Sequence, residues 1–340
     1  MQYLYVLTSN ENDFYYEQFL MSATSLKMKM PYAEISLLCD SETKKNLTGK
    51  RDEYKKLIIN IISPEAPASM SHIEVSRWLK TSMRHFVQGD FLFIDCDTVV
   101  ADDLSSVHKL NITAGICLDK HCLISEHEKG SFITNNDKKL GFDSYLSNHH
   151  FNSGVIFCRD TPEAHKTFNR WHVLWLLSKE KNILRDQPAL NMAIYENPTL
   201  FTELEGTWNC QIAYNGLPYL ADSKIIHYFA SDSLLQSSPF ILSHNAIFNR
   251  IKDSGRIPDD VLEMLKNPRA AFSYNSRIIA GNNVLHVINS DIFQFIVLVR
   301  KKIPAIFFFY NFLASLVKKI FKFLWVMARK KSGNKTQIYN

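Results

Sequence analysis

Phe91-Leu92-Phe93-Ile94-Asp95-Cys96-Asp97-Thr98 is the stretch from which this chain is best read. Four consecutive apolar residues make a buried strand, which runs straight into two carboxylates two residues apart. Strand alternation would send those side chains to opposite faces, unless the chain turns where the strand ends. At a strand mouth such a pair suits a hard divalent cation, one carboxylate bound directly and the other directly or through water. A plain acidic turn closing the strand reads equally well from these residues alone.

Working outward, residues 3–7 form an apolar run that ends in the turn Thr8-Ser9-Asn10. Residues 13–30 read as a helix stopped by Pro31, 35–39 and 57–62 as strands, and 72–87 as a second helix. Strands alternating with helices imply a parallel sheet covered on both faces. Ligands of such sheets bind beyond the carboxyl ends of the strands, so residues 8–10 and 95–97 are expected to share one crevice. Downstream lie a strand at 113–118, a polar stretch at 125–150 long enough for an active-site loop or lid, and a strand at 155–158. Thr161-Pro162-Glu163 opens a helix whose Phe168, Trp171, Trp175 and Leu176 form a core face. Residues 224–228 are a last short strand.

The 340 residues are 46% hydrophobic and 21% charged, with 11 Gly and 11 Pro and no repeat, which excludes disordered, collagen-like and solenoid chains. The net charge of +5 conceals an asymmetry: residues 291–340 hold ten Lys/Arg and one acid, Asp291, while the rest is mildly acidic. A slightly acidic globule with no basic stripe speaks against a nucleic-acid partner. Six scattered cysteines read as buried thiols of a reducing compartment, and Cys117 and Cys122 have no second pair at zinc-like spacing. Met1-Gln-Tyr-Leu-Tyr-Val lacks the basic and long apolar segments of a signal peptide, so the expected location is cytoplasmic.

The tail reads separately. Its longest uncharged run, 303–317, is shorter than the roughly 20 residues of an ordinary membrane span. On a helix, Asn311, Ser315, Lys318, Lys319, Lys322, Arg329 and Lys330 share one polar sector, with Phe309, Leu313, Leu316, Ile320, Phe321, Leu324 and Trp325 filling the rest. A basic amphipathic helix of this kind suits an anionic membrane surface; packing on a partner subunit is the other reading. The expected divisions are 1–235 (catalytic domain), 236–290 (helical or irregular extension) and 291–340 (membrane-associating tail).

Two enzyme classes use an apolar strand followed by D-x-D. The D-x-D-x-T form resembles haloacid-dehalogenase-type phosphatases, in which Asp95 would be the nucleophile. Their motif sits on the first strand, however, and Asp259-Asp260 follows Pro258 in a polar turn rather than an apolar strand. Nucleotide-sugar glycosyltransferases of the A-type fold place D-x-D after an N-terminal nucleotide-binding half, as here. Phe151-Asn152-Ser153-Gly154 resembles the F-N-[SA]-G segment of glycosyltransferase family 8, and Asp186-Gln187-Pro188-Ala189-Leu190-Asn191 its D-Q-x-x-L-N. Trp208-Asn209 is similar to its W-N, Ile226-His227-Tyr228 to its I-x-H-[YF], and Arg77 and Lys80 to its basic pair. The resemblance spans residues 3–228 and stops there.

That resemblance implies a single Rossmann-like α/β domain with a mixed central sheet, followed by the helical tail. It implies Mn²⁺ or Mg²⁺ held by Asp95, Asp97 and His227, with Thr8 and Ser9 at the nucleoside and Arg77 and Lys80 at the donor phosphates or sugar. Asn152 would lie near the donor sugar, with Gly154 permitting close backbone approach; Asp186 would bind sugar hydroxyls and Gln187 would lie beneath the anomeric carbon. The implied reaction is metal-dependent, retaining transfer of a hexose from a nucleotide sugar, UDP-sugars favoured. The tail adds the expectation of a glycan or glycolipid acceptor, such as a lipopolysaccharide or polyprenyl-linked glycan, on the inner face of a membrane. A non-catalytic membrane-bound sugar-nucleotide or glycan-binding protein is the reading from a different class.

Overall fold

Along the strands β1 (Gln2–Leu7) and, later in the chain, Phe91–Ile94, successive side chains enter two different cores. Tyr3, Tyr5, Leu7, Leu92 and Ile94 pack into one; Leu4, Phe91 and Phe93 pack into the other. Period-two alternation with both faces apolar is what a sheet sandwiched between helices requires. The computed structural model describes residues 1–229, 238–273 and 290–333.

After β1 come α1 (Tyr15–Lys29), β2 (Ile35–Cys39), α2 (Ser41–Asn46), β3 (Asn60–Ile62), α3 (His72–Thr81), α4 (Met83–Phe86), β4 (Phe91–Ile94) and β5 (Thr98–Val100). Then follow β6 (Ala114–Leu118), α5 (Gly130–Leu140), β7 (Phe151–Cys158), α6 (Pro162–Glu180), α7 (Gln187–Glu196), β8 (Phe201–Glu203), β9 (Cys210–Gln211), β10 (Ile225–His227), α8 (Asn245–Ser254) and α9 (Asp259–Lys266). Among the described residues the main sheet has the order β3-β2-β1-β4-β7-β6-β8, and a smaller one the order β5-β10-β9. β1 to β4 are parallel, as the alternation of elements implies, but β7 runs antiparallel to both β4 and β6, so the sheet is mixed. α1 packs against the first core, together with side chains of α8 and α9; α3, α6 and α7 cover the second.

Several elements differ from expectation for local reasons. The helix expected over 72–87 breaks at Ser82, whose hydroxyl donates to the Trp78 carbonyl and competes with the helical bond. The strand expected over 57–62 forms only from Asn60, because a 3₁₀ turn occupies Glu53–Lys56. The polar stretch at 125–150 is no open loop: it contains α5, whose Ile133 and Leu140 are buried, and a 3₁₀ turn at Ser144–Ser147. β7 begins four residues earlier than expected, which places Phe151-Asn152-Ser153-Gly154 inside the strand.

Residues 1–273 form one compact unit, into which Phe240, Leu242, Phe248 and Val261 are packed. Residues 274–340 form a second, described through two helices, Asp291–Lys302 and Pro304–Gly333. The break at Ile303 is set by Pro304, which disfavours helical backbone in the residue before it. Segment 304–321 is long and apolar enough to cross a membrane. It is longer than the uncharged run 303–317 because it takes in Lys318 and Lys319 near its end. Phe308, Phe309, Tyr310 and Phe312 are exposed. Residues 236–237 and 274–289 of the expected extension and 334–340 of the tail lie outside the described residues.

Candidate active site

The end of β4 decides where the two carboxylates go. The Asp95 amide donates to the Gly154 carbonyl (2.8 Å), and the Thr98 hydroxyl donates back to the Asp95 carbonyl (2.8 Å), closing a turn between them. The chain therefore leaves the main sheet at Cys96 and starts β5, and alternation no longer separates Asp95 from Asp97. Thr98, which gave the motif its phosphatase-like look, is fully buried and spends its hydroxyl on this turn and on Ser22. β5 pairs antiparallel with β10, setting His227 opposite Thr98, and the Tyr228 amide donates to the Asp97 carbonyl. As a result His227 Nε2 stands 3.3 Å from Asp97 Oδ1, and one ligating atom each of Asp95, Asp97 and His227 lies within 4.8 Å of the others.

The His227 ring is held on three sides. Phe229, in left-handed backbone (φ 53°), stacks on it at 4.0 Å. Asn209 Oδ1 lies 2.9 Å from Nδ1. Behind it passes Gly154, where a β-carbon would come within 2.4 Å of His227 Cε1 and 2.8 Å of Asn152 Oδ1. The close approach that Gly154 permits is thus that of the imidazole.

The cations come from α3, whose first turn is fixed by a reciprocal capping box between Ser71 and Glu74. Arg77 and Lys80, three apart, share one helix face. Lys80, buried, donates to both oxygens of Asp95 at 3.0 and 2.9 Å and lies 3.9 Å from Asp186 Oδ2. Arg77 Nε is 3.4 Å from Asp186 Oδ1. Burial raises the pKa of Asp95, with Asp97 adding to it and Lys80 opposing; at Asp186 burial is outweighed by Lys80, Arg77 and the Ser153 hydrogen bond, and the pKa falls.

Asp186 and Gln187 sit where α7 begins, and their loop is pinned from two sides. Trp171 Nε1 donates to the Asp186 carbonyl and Trp175 Nε1 to that of Leu184. Asn191 accepts from the Phe151 amide and donates to the carbonyls of Phe151 and Gln187, tying α7 to β7. A cavity of about 490 Å³ opens between these elements, beyond the carboxyl ends of β1 and β4. Thr8, Arg77, Lys80, Asp95, Asp97, Asn152, Gly154, Asp186, Gln187 and His227 all line it. The Thr8 hydroxyl is buried and has no hydrogen-bond partner among the described residues. Ser9 does not line the cavity: its hydroxyl donates to Asp13 and accepts from Arg51, which turns it into the protein.

Residues that sequence reasoning left without a role complete the walls. Asp119, Lys120, His127, His150, Tyr214 and Phe229 line the cavity, and Asn209 lies behind His227. Asp119 falls in the Cys117–Cys122 segment weighed only for zinc, and Asn209 in the quoted Trp208-Asn209 pair. Lys120 and His121 both have φ 53°, an uncommon pair of left-handed residues. Gln211 holds them there, accepting from the Lys120 amide, donating its own amide to His121 Nε2 and its side-chain nitrogen to the Leu118 carbonyl. The turn sets Lys120 Nζ 3.5 Å from the centre of the Tyr214 ring.

Two carboxylates and an imidazole form a donor set that suits Mn²⁺ and admits Mg²⁺ less well. Their convergence at a polar cavity beside Lys80 and Arg77 gives a place for a divalent cation and an anionic ligand together.

The fold resembles several solved structures in outline. Mouse xyloside xylosyltransferase 1 is 13% identical, with 68% of this chain and 98% of that one covered and a TM-score of 0.47. The galactosyltransferase LgtC, solved with donor and acceptor sugar analogues, is 16% identical over 77% of this chain and 99% of that one, TM-score 0.45. The glycosyltransferase GlyE of Streptococcus pneumoniae is 17% identical over 67% of this chain and 55% of that one, TM-score 0.45. No curated protein matches the chain in sequence. The family model for glycosyl transferase family 8 matches residues 15–232, a segment that runs from α1 past His227 and takes in the D-x-D turn, both basic residues of α3 and the α7 loop; the chain is a glycosyltransferase and belongs to that family.

Proposed function

We propose that this glycosyltransferase transfers a hexose from a nucleotide sugar, with a UDP-sugar as donor, to a membrane-linked saccharide, and that it does so with a divalent cation and retention of anomeric configuration. The observation that carries the reading is the convergence of Asp95, Asp97 and His227 at the mouth of a cavity that also holds Lys80, Arg77 and Asp186. Membership of the family displaces the phosphatase reading, and the Lys80 bonds to both oxygens of Asp95 leave that carboxylate poorly placed as a nucleophile.

Asp95, Asp97 and His227 would hold Mn²⁺ or Mg²⁺. The cation they would hold would supply Lewis-acid stabilisation to a diphosphate leaving group. Lys80 and Arg77 add positive charge to the same wall and orient the donor. The unpartnered Thr8 hydroxyl, at the end of β1, is placed to bond the nucleoside. Asp186, kept ionised by Lys80 and Arg77, accepts from sugar hydroxyls, and Gln187 presents its amide beneath the sugar. The basic, apolar helix Pro304–Gly333 supports an acceptor held at a membrane.

The test is a panel of nucleotide sugars incubated with the protein and Mn²⁺, scoring nucleotide release with water in place of the acceptor. Release from one donor, abolished by EDTA and by Asp97→Asn, is the expected result. Release that continues undiminished in EDTA would remove the metal from the mechanism.

A further inference from the structure

A line of hydrogen bonds runs from α5's approach segment to the proposed cation site, and its direction is set by two backbone donors, the Lys129 amide at the far end and the Gly154 amide midway. The Lys129 amide donates to His127 Nδ1 (2.9 Å), so the His127 proton sits on Nε2, which faces Asp119 Oδ2 at 3.1 Å. Asp119 is a carboxylate: burial pushes its pKa up, but the His127 bond, the nearby His150 and the Asn152 bond together outweigh this and hold it at about 2. It can only accept, so the side chain 2.8 Å from its Oδ1 must be the Asn152 amide nitrogen. That turns Asn152 Oδ1 the other way, where it accepts from the Gly154 amide and from Asn209 Nδ2, each at 2.9 Å. Asn209 must then present its own carbonyl oxygen to His227 Nδ1. An amide oxygen only accepts, so the ring proton belongs on Nδ1 and the Nε2 lone pair points at Asp97.

We infer that Asp119 is a positioning residue: acting through Asn152 and Asn209, it fixes His227 as the Nδ1–H tautomer and so keeps Nε2 available to a divalent cation. The inference rests on the reading of Asp95, Asp97 and His227 as cation ligands. It also gives Asn152 a different task from contact with the donor sugar, because its carbonyl oxygen is already shared between two donors inside the protein. Asp119 and Asn152 both line the cavity, and each spends both of its polar side-chain atoms on bonds within the protein. Asp119→Asn is the informative change. An Asn there cannot accept from both His127 Nε2–H and Asn152 Nδ2–H, because one of its two side-chain atoms is itself a donor. The Gly154 amide would then be left alone to orient Asn152, and the line would lose one of its two fixed points without losing volume.

The experiment is imidazole nitrogen NMR on full-length, metal-free protein labelled with ¹⁵N-histidine, at alkaline pH where free imidazoles are neutral. His227→Gln identifies the signal among the 12 histidines. The expected wild-type result is a pyrrole-like Nδ1 and a pyridine-like Nε2 at His227, with only Nε2 moving on addition of Mg²⁺. In Asp119→Asn the two nitrogen shifts are expected to move toward each other as the second tautomer becomes populated, and Mn²⁺ affinity, read by the EPR signal of free Mn²⁺, to weaken by about 10-fold. A protonated Nε2 in the wild type overturns the inference, as does an unchanged tautomer in a folded Asp119→Asn. Should that variant fail to fold, Asn209→Ala, which removes the last acceptor and leaves Asp119 in place, carries the same expectation. A merely structural Asp119 would shift the melting temperature and leave the tautomer alone. The correct tautomer in a protein that binds neither Mg²⁺ nor Mn²⁺ supports the relay and removes the metal reading instead.

Discussion

Lys80 Nζ donates to both carboxylate oxygens of Asp95, so the protein itself neutralises the first aspartate of the D-x-D turn from behind. The same ammonium lies 3.9 Å from Asp186, and one side chain thus balances two largely buried carboxylates. A cation arriving on the cavity side of Asp95 meets a carboxylate whose position is set before binding, which is the preorganisation that electrostatic catalysis needs.

The consequence is testable with Lys80→Met, which keeps the length of the side chain and removes its charge. Asp95 and Asp186 then lose their shared partner, a loss of about 3 kcal/mol for a broken buried pair. Added Mn²⁺ should restore part of this, so the Mn²⁺-induced rise in melting temperature is expected to be larger in the variant than in the wild type. Turnover should fall by roughly 10²-fold, as when one donor of charge stabilisation is removed. Equal Mn²⁺ shifts in both proteins would show that Lys80 does not share Asp95 with the cation.

Gly154→Ala probes the other wall of the site. The new methyl would stand 2.4 Å from His227 Cε1 and 2.8 Å from Asn152 Oδ1, and neither can yield without leaving its hydrogen bonds. The expected outcome is a folded protein whose Mn²⁺ affinity is reduced by more than about 10-fold, since His227 is pushed off its support. Calorimetric titration reads it directly. An Ala variant that binds Mn²⁺ as the wild type does would mean the ring is not a ligand.

The chemistry of this site was legible in the sequence where one segment carries it and illegible where two segments meet. Phe91–Ile94 announces a doubly covered strand and Asp95 and Asp97 a charge cluster at its end, because both facts are local. That the two carboxylates point the same way depends on Thr98 closing a turn, and that His227 joins them depends on β5 pairing with β10, which no periodicity records. The alternation of elements does not give the reversal of β7, and only the family resemblance implies a mixed sheet: strand direction is a property of the connection, and the connection through α5 reads as polar loop. Ser9 shows the opposite error. Its place in the turn after β1 suggested a ligand contact, yet Asp13 and Arg51 claim its hydroxyl.

Asp137, in α5, gives the fold a pH dependence unrelated to the chemistry. It is fully buried, with one oxygen bonded by the Ser144 hydroxyl and the other without a partner among the described residues, and burial raises its pKa to about 6. The folded protein therefore binds a proton here that the unfolded chain releases near pH 4. Stability contributed by the protonated form is present in full below pH 4 and lost as pH rises through about 6, a loss of roughly 3 kcal/mol that is complete at neutral pH. Asp137→Asn keeps the acceptor for Ser144 and cannot ionise. Urea unfolding at pH 5 and pH 8 should show the wild type losing more stability than the variant between the two values. Parallel losses would mean that Asp137 titrates normally.

The tail separates two ways of meeting a membrane. At 1.5 Å per residue, residues 304–321 reach about 27 Å, close to a hydrocarbon core of about 30 Å. The sequence beyond Phe321 continues with Lys322, Arg329, Lys330 and Lys331, and Arg300, Lys301 and Lys302 precede it, so both ends are basic. A crossing helix would place one of these clusters on the far side, whereas a helix lying in the interface keeps both against anionic headgroups and leaves Lys318 and Lys319 at its polar edge. The in-plane arrangement satisfies more of the charges. It predicts that the full chain floats with vesicles containing anionic lipid, does so poorly with neutral vesicles or in high salt, and is released by alkaline carbonate. Truncation after residue 285 should abolish flotation and leave donor hydrolysis in solution unchanged, while turnover on a vesicle-borne acceptor falls. Resistance to carbonate would assign the helix a membrane-crossing role, and full activity of the truncated enzyme on vesicles would detach the tail from acceptor access.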